Sequence, residues 1–242
     1  MEAMQSSATI APEPLTGISS MATRQLLAEL MAAYAQRRGQ VVTIESVGGV
    51  DAARRVQAGE AFDVVILASD AIAKLVASGH LRAISVVNLV HSGVAVAVRC
   101  GTPQPHIASA DDVRLAVLAA PTLSYSTGPS GVALAKLFDH WGIAEQIQGR
   151  IVTAPPGVPV GRLVAKGEVA LGFQQLSELI HVEGITIVGA LPPAIQITTT
   201  FTAAMTTGCT RPAEVQDLLD YMASDEAAEA KRRQGMEPVL CF

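Results

Sequence analysis

The feature that most constrains this chain is an alternation, sustained almost end to end, of short apolar β-rich runs with amphipathic helical stretches closed by glycine. Residues 21–37 place Met21, Leu26, Leu27, Leu30, Met31 and Tyr34 on one helical stripe, and Gly39 follows as a stop signal. Val41 to Val47 is β-rich, residues 50–58 are helical by composition, and Asp63 to Leu67 reads as a short buried strand. A helix near 70–78 ends at Gly79, and Gly93 to Val98 is an uninterrupted Ala/Val strand of the kind covered on both faces. The middle third repeats the logic. Leu123 to Ser126 is strand-like, a Thr-Gly-Pro-Ser-Gly turn opens a helix carrying Leu134, Leu137, Phe138 and Trp141, and Val160, Leu163 and Val164 mark a short helix capped by Gly167. Strands are expected at Val169 to Phe173 and Ile185 to Val188, then a β-rich run from Ile195 to Met205, then a helix with Val215, Leu218, Leu219 and Met222 at core spacing. No repeat at solenoid periods is present.

Such alternation predicts an α/β fold of open, mostly parallel sheets that bind ligands beyond the carboxyl ends of their strands. Two groups of elements separated by two long strands predict two lobes joined by two hinge crossings, near residues 90–100 and 194–206. Residues 12–92 with 204–242 would form the first lobe, residues 93–203 the second, and residues 1–11 a flexible N-terminus.

Composition narrows the partners. A net charge of −5 and 4% aromatic residues argue against nucleic acid and against stacking platforms for bases or sugars. The longest basic cluster, Lys231-Arg232-Arg233, reads as a solvated helix end. Cys100, Cys209 and Cys241 fit no metal or redox spacing, and an odd count suits a reducing compartment, with one disulfide still allowed. The first twenty residues have neither a basic n-region nor an apolar h-region, so a cytoplasmic location is expected if the sequence is complete and a periplasmic one if a signal was removed. No run is long and apolar enough to span a bilayer, so no membrane insertion is expected.

Three segments share one design, a strand, then small or hydroxyl residues, then a helix start: Gly17-Ile18-Ser19-Ser20, Ser46-Val47-Gly48-Gly49 and Ser126-Thr127-Gly128-Pro129-Ser130-Gly131. Free N–H groups and the dipole at a helix N-terminus suit an anion, and glycine admits close approach. Taken alone, each is an ordinary cap or tight turn, since Ser and Thr are default caps. The Ser126–Gly131 turn is the most specific, being shaped by Pro129 and two glycines. Gln174 and Gln175 follow a strand end, and side-by-side amides can donate to an oxyanion or accept from a hydroxyl. Because neighbours on a strand point opposite ways, one of the two should reach a ligand; a surface polar pair is the plain alternative. Ligand contacts are thus expected from Ser19, Ser20, Gly48, Gly49, Ser126, Thr127, Ser130, Gly131, Val158, Gln174 and Gln175. There is no nucleophile elbow, phosphate loop, dinucleotide fingerprint or metal-ligand spacing, and the five histidines are scattered, so no metal or cofactor is expected and no catalytic residue stands out.

Across about residues 15–238 the order of segments resembles the molybdate-binding proteins of ABC importers. The stretch Ala52-Ala53-Arg54-Arg55-Val56-Gln57-Ala58-Gly59-Glu60-Ala61-Phe62-Asp63-Val64-Val65-Ile66 is similar to that family's helix, turn and strand, and Lys166-Gly167-Glu168-Val169-Ala170-Leu171-Gly172 to its second-lobe helix-to-strand turn. The resemblance implies a type II periplasmic-binding fold with two hinge strands, an oxyanion held by hydroxyls and backbone N–H groups, hinge closure, and an ABC permease partner if the protein is exported. Three positions depart from the family. Ala22 and Gly49 stand where it has serines, and Gln175 where it has a cleft tyrosine. Fewer hydroxyl donors disfavour a buried dianion such as molybdate and favour a small carboxylate.

The expected function is therefore a monomeric solute-binding protein that captures a small anion between its lobes. The alternative is a cytoplasmic isomerase, lyase or tautomerase on the same fold acting on a small organic acid, with Glu45, Asp51 or His91 as acid/base candidates. A ligand sensor lies between the two.

Overall fold

The computed structural model describes residues 13–155 and 157–239, so the N-terminal segment 1–11 and Cys241 lie outside the described residues. In chain order the elements are β1 (Leu15–Ser20), a 3-10 turn (Met21–Thr23), α1 (Arg24–Arg38), β2 (Val42–Val47), α2 (Gly49–Gln57), β3 (Val64–Ala68), α3 (Ser69–Ala77) and β4 (Val87–Arg99). There follow α4 (Ala110–Ala119), β5 (Leu123–Tyr125), α5 (Pro129–His140), α6 (Ala144–Ile147), α7 (Val160–Lys166), β6 (Leu171–Gln175), α8 (Leu176–Leu179) and β7 (Ile185–Ala190). The chain closes with β8 (Thr198–Met205), α9 (Pro212–Ala223), α10 (Ala228–Arg233) and β9 (Glu237–Pro238).

The alternating pattern does build a two-lobed α/β molecule. Strand order is β2-β1-β3-β8-β4-β6-β5, with β7 and β9 also on β4. The parallel pairs, β1–β2, β1–β3 and β5–β6, form the outer part of each lobe, and every antiparallel pair involves β4 or β8. β4 is the long crossing strand. Its first half, Val87–Gly93, pairs with β8, and its second half, Val94–Arg99, pairs with β6 and β7. It is longer than the Gly93–Val98 run expected, because its first half mixes buried and exposed residues and so lacks a continuous apolar signature. β8 pairs with β4 from Thr198 and with β3 from Phe201.

Strand direction places the ligand side. β1, β2 and β3 run in the same sense as β4, while β5 and β6 run against it. The carboxyl ends of both parallel sets therefore converge where β4 leaves β8 and takes up β6.

Each sheet is covered on both faces. In the first lobe Leu26, Leu27, Leu30 and Tyr34 of α1 and Leu218, Leu219 and Met222 of α9 pack on Leu15, Val64 and Ile66, while Ala52, Val56, Ile72 and Leu75 cover Ile18, Val65 and Leu67 opposite. In the second, Val113, Val117, Leu134 and Phe138 pack on Val94, Val96 and Phe173, while Val160 and Val164 lie on the other face with Val169. α4 was not legible from periodicity, since only Val113 and Val117 are buried; a Ser109–Asp112 capping box starts it instead. The basic cluster is corrected at one position: Lys231 is 1% exposed, and Arg233 pairs with Glu29 and Glu229. Cys100 is exposed, Cys209 is buried, and both are free thiols.

Candidate functional site

The first lobe contributes the end of β1 and the start of α2. Ser19 is fully buried and its Oγ lies 2.8 Å from that of Ser46, directly across on β2. It also donates to the Ser20 carbonyl at 3.3 Å, so Ser19 ties β1 to β2. Ser20 points the other way and is partly open. It caps the 3-10 turn, its Oγ accepting from the Ala22 N–H, while its carbonyl accepts the Thr23 hydroxyl at 3.0 Å. Gly49 begins α2 beside it: a Cβ there would sit 3.8 Å from Ser20 Oγ, and at Gly48 it would meet nothing. Ser20, Gly48 and Gly49 thus form one open corner with free helix N–H groups.

The second lobe contributes the start of α5. Ser126 and Ser130 hydroxyls lie 2.9 Å apart, with Ser130 buried and Thr127 exposed. Gly131 is obligatory here for packing: a Cβ would fall 1.5 Å from the Ser126 carbonyl oxygen. The turn folds over its own entering strand, which only a residue without a side chain permits. Pro129 sets the first helical position, where no N–H is needed. Val158, partly buried, lies in the loop before α7 and packs with Val160 and Val164.

The two glutamines lie inside β6 at its end, not beyond it, and take opposite faces. Gln174 Oε1 accepts the Gly161 N–H of α7 at 3.1 Å, and its Nε2 donates to Glu178 at 2.9 Å. Gln175 Nε2 donates to Thr199 Oγ1 at 3.2 Å, from β6 to β8, and its Oε1 is buried with no partner among the described residues. Gln174 is committed to packing α7 and α8 on the sheet; Gln175 sits at the crossing with bonding capacity to spare.

Sequence reasoning missed Glu178. Its carboxyl is pushed up to about 7 by burial, which the hydrogen bond from Gln174 only partly offsets. The signal was a lone acid in Leu176-Ser177-Glu178-Leu179-Ile180, immediately past the carboxyl end of β6. α8 also lies against the 3-10 turn of the first lobe, where the lobes meet. The acid/base candidates named from sequence are otherwise engaged. Glu45 and Glu60 grip Arg55 and are held below the usual carboxylate range by it, Asp51 pairs with Arg54, and His91 is exposed with Nδ1 2.9 Å from Thr200 Oγ1. Arg54 and Arg55 are thereby surface ion-pair partners.

A second missed residue holds the hinge. Gln196 Oε1 accepts the Val94 N–H at 3.0 Å and its Nε2 donates to the Val94 carbonyl at 3.2 Å. One side chain thus adds to the backbone bonds of Val94, whose N–H also reaches the Ile197 carbonyl and whose carbonyl also accepts the Leu191 N–H, at the residue where β4 changes sheets. Among the described residues no group of three His, Cys, Asp or Glu could hold a metal ion, and no helix is long and apolar enough to cross a membrane.

The arrangement can hold an anion through N–H groups, hydroxyls and amides, and can exchange a proton near neutrality at Glu178. An aconitate isomerase from a Pseudomonas species is 35% identical to this chain, the match covering 98% of this chain and 93% of that protein. Among solved structures, the periplasmic molybdate-binding protein of Azotobacter vinelandii superposes with a TM-score of 0.77 at 22% identity, covering 94% of this chain and 100% of that one. The sulfate-binding protein SubI from Mycobacterium tuberculosis gives 0.76 at 18%, covering 93% and 87%. AgtB from A. tumefaciens, in complex with agropinic acid, gives 0.71 at 14%, covering 93% and 83%. The model of the bacterial extracellular solute-binding proteins matches residues 15–237, and the chain belongs to that family.

Proposed function

We propose that this protein closes its two lobes on a small organic polycarboxylate and isomerises it, the substrate being an unsaturated acid of the aconitate type. The observation that carries this reading is the 35% identity with an aconitate isomerase along 98% of the chain, which leaves no region of the fold outside the likeness. The corner at Ser20, Gly48 and Gly49 and the turn from Ser126 through Thr127 and Ser130 to Gly131 supply neutral donors for carboxylates. Gln175 replaces an aromatic hydroxyl with an amide that both donates and accepts. We place the lobe boundaries at residue 93 and in the 190–198 segment, where pairing of β4 changes and β8 begins.

Moving a double bond between the arms of such an acid takes one proton from a carbon beside a carboxylate and returns one two carbons away, with no net redox change. A group near pKa 7 suits both halves of that exchange. Glu178 is such a group, held by Gln174 at the carboxyl end of β6. Purified protein given trans-aconitate should form the cis isomer, followed by proton NMR in deuterated buffer with exchange at the allylic positions. Glu178→Gln should lower kcat at least a hundred-fold while KM changes little. Absence of turnover with intact binding refutes the enzyme reading. It would leave solute capture for an ABC permease, which the family membership favours.

A further inference from the structure

Three buried polar side chains project where β4 passes from one sheet to the other, and two of their atoms find no partner among the described residues. Ser92 lies opposite Thr199 in the β4–β8 register, and Val94, two residues on, lies opposite Gln175 in the β4–β6 register. Residues directly opposite on neighbouring strands share a face, and so do residues two apart on one strand. Ser92, Gln175 and Thr199 therefore project from a single face at the crossing. All three are enclosed, at 0%, 4% and 9% exposure. Gln175 Nε2 uses Thr199 Oγ1, but Ser92 Oγ and Gln175 Oε1 remain without a partner. A buried polar group left unpaired is costly, and an alanine or valine at 92 would remove that cost just before the Val/Ala run of 94–98.

We propose that Ser92, Gln175 and Thr199 form a subsite in the cleft floor that receives one carboxylate of the bound acid, a proposal that rests on the organic-acid reading above. Thr199 can donate to Gln175 Oε1 when the amide is turned about, which frees Nε2. The Ser92 hydroxyl and the Gln175 Nε2 then each donate to one carboxylate oxygen, a two-point match to a planar group. The first-lobe corner and the α5 turn hold the ligand's other charge. The subsite thus selects acids with at least two separated carboxylates over single-centre oxyanions and monocarboxylates.

The test is calorimetric titration of wild type, Ser92→Ala and Gln175→Leu with trans-aconitate, crotonate and molybdate, alongside melting of the ligand-free proteins. Each substitution should weaken trans-aconitate binding roughly ten-fold or more. Crotonate should bind wild type weakly and be indifferent to both changes. The ligand-free melting temperature of Ser92→Ala should hold or rise, because an unpaired buried group has been removed. Unchanged trans-aconitate affinity in both variants overturns the subsite alone. A lower ligand-free melting temperature of Ser92→Ala with unchanged affinity assigns the trio to structure and overturns it too. Failure of wild type to bind trans-aconitate, or tight binding of molybdate instead, overturns the organic-acid reading and the subsite with it.

Discussion

Replacing Glu178 by glutamine isolates the energetic consequence of burying one carboxyl at the lobe junction. Burial raises its proton affinity from the ordinary 4.5 to about 7, and the Gln174 amide only partly opposes this. At about 1.36 kcal/mol per pH unit, the displacement corresponds to about 3 kcal/mol. The folded state holds the proton more tightly than the unfolded chain does. Between pH 4.5 and 7 the native protein therefore binds more protons, and stability falls as pH rises through that window, the loss being complete above about pH 7. Glutamine keeps an acceptor for Gln174 and carries no charge at any pH. Melting wild type and Glu178→Gln in parallel from pH 4 to 8.5 cancels all other titrations. The two should melt together near pH 4, and the variant should lead by about 6–12 °C at pH 8, taking 2–4 °C per kcal/mol for a chain of this size. A difference that stays flat with pH, or a variant less stable at pH 8, refutes the reasoning.

Other perturbations follow from the same geometry. Gly131→Ala would force the Ser126 carbonyl aside, and overpacking of this kind should cost about 3 kcal/mol, seen as a lower urea midpoint and weaker carboxylate binding. Gln196→Ala removes the side-chain bonds to the Val94 N–H and carbonyl but leaves their backbone partners Ile197 and Leu191, and should destabilise by about 1 kcal/mol, with faster amide exchange at Val94 by NMR. Arg54→Ala removes an exposed ion pair with Asp51 and should change unfolding free energy by less than about 0.5 kcal/mol.

Much of the fold was legible because burial repeats with the period of the backbone. Leu26, Leu27, Leu30, Met31 and Tyr34 could only be one face of a helix, and the run Asp63 to Leu67 a short buried strand, which the structure sets at Val64–Ala68. α4 escaped because its identity lies in a cap more than in a stripe, and the first half of β4 because it is half-exposed. In the candidate site, the Ser126–Gly131 turn was legible from its glycines and proline, although Gly131 is fixed by a contact with Ser126 that no spacing rule reveals. Gln174 and Gln175 were indistinguishable in sequence. Their different partners follow from the two faces of one strand.

The sequence by itself determined the layering, the two groups of elements and the neutral, hydroxyl- and amide-rich character of the strand ends. Those properties are local, set by which residues tolerate burial and which cap a helix. Tertiary structure decided which polar groups retain unused bonding capacity. Ser92 and Thr199 lie more than a hundred residues apart and stand opposite each other, beside Gln175, only because β4 and β8 cross together. The Glu178 carboxyl is pushed up to about 7 by burial that packing around α8 supplies, not by its sequence neighbours alone. Burial and pairing are properties of the packed neighbourhood, and the chain assembles that neighbourhood from segments that carry no record of one another.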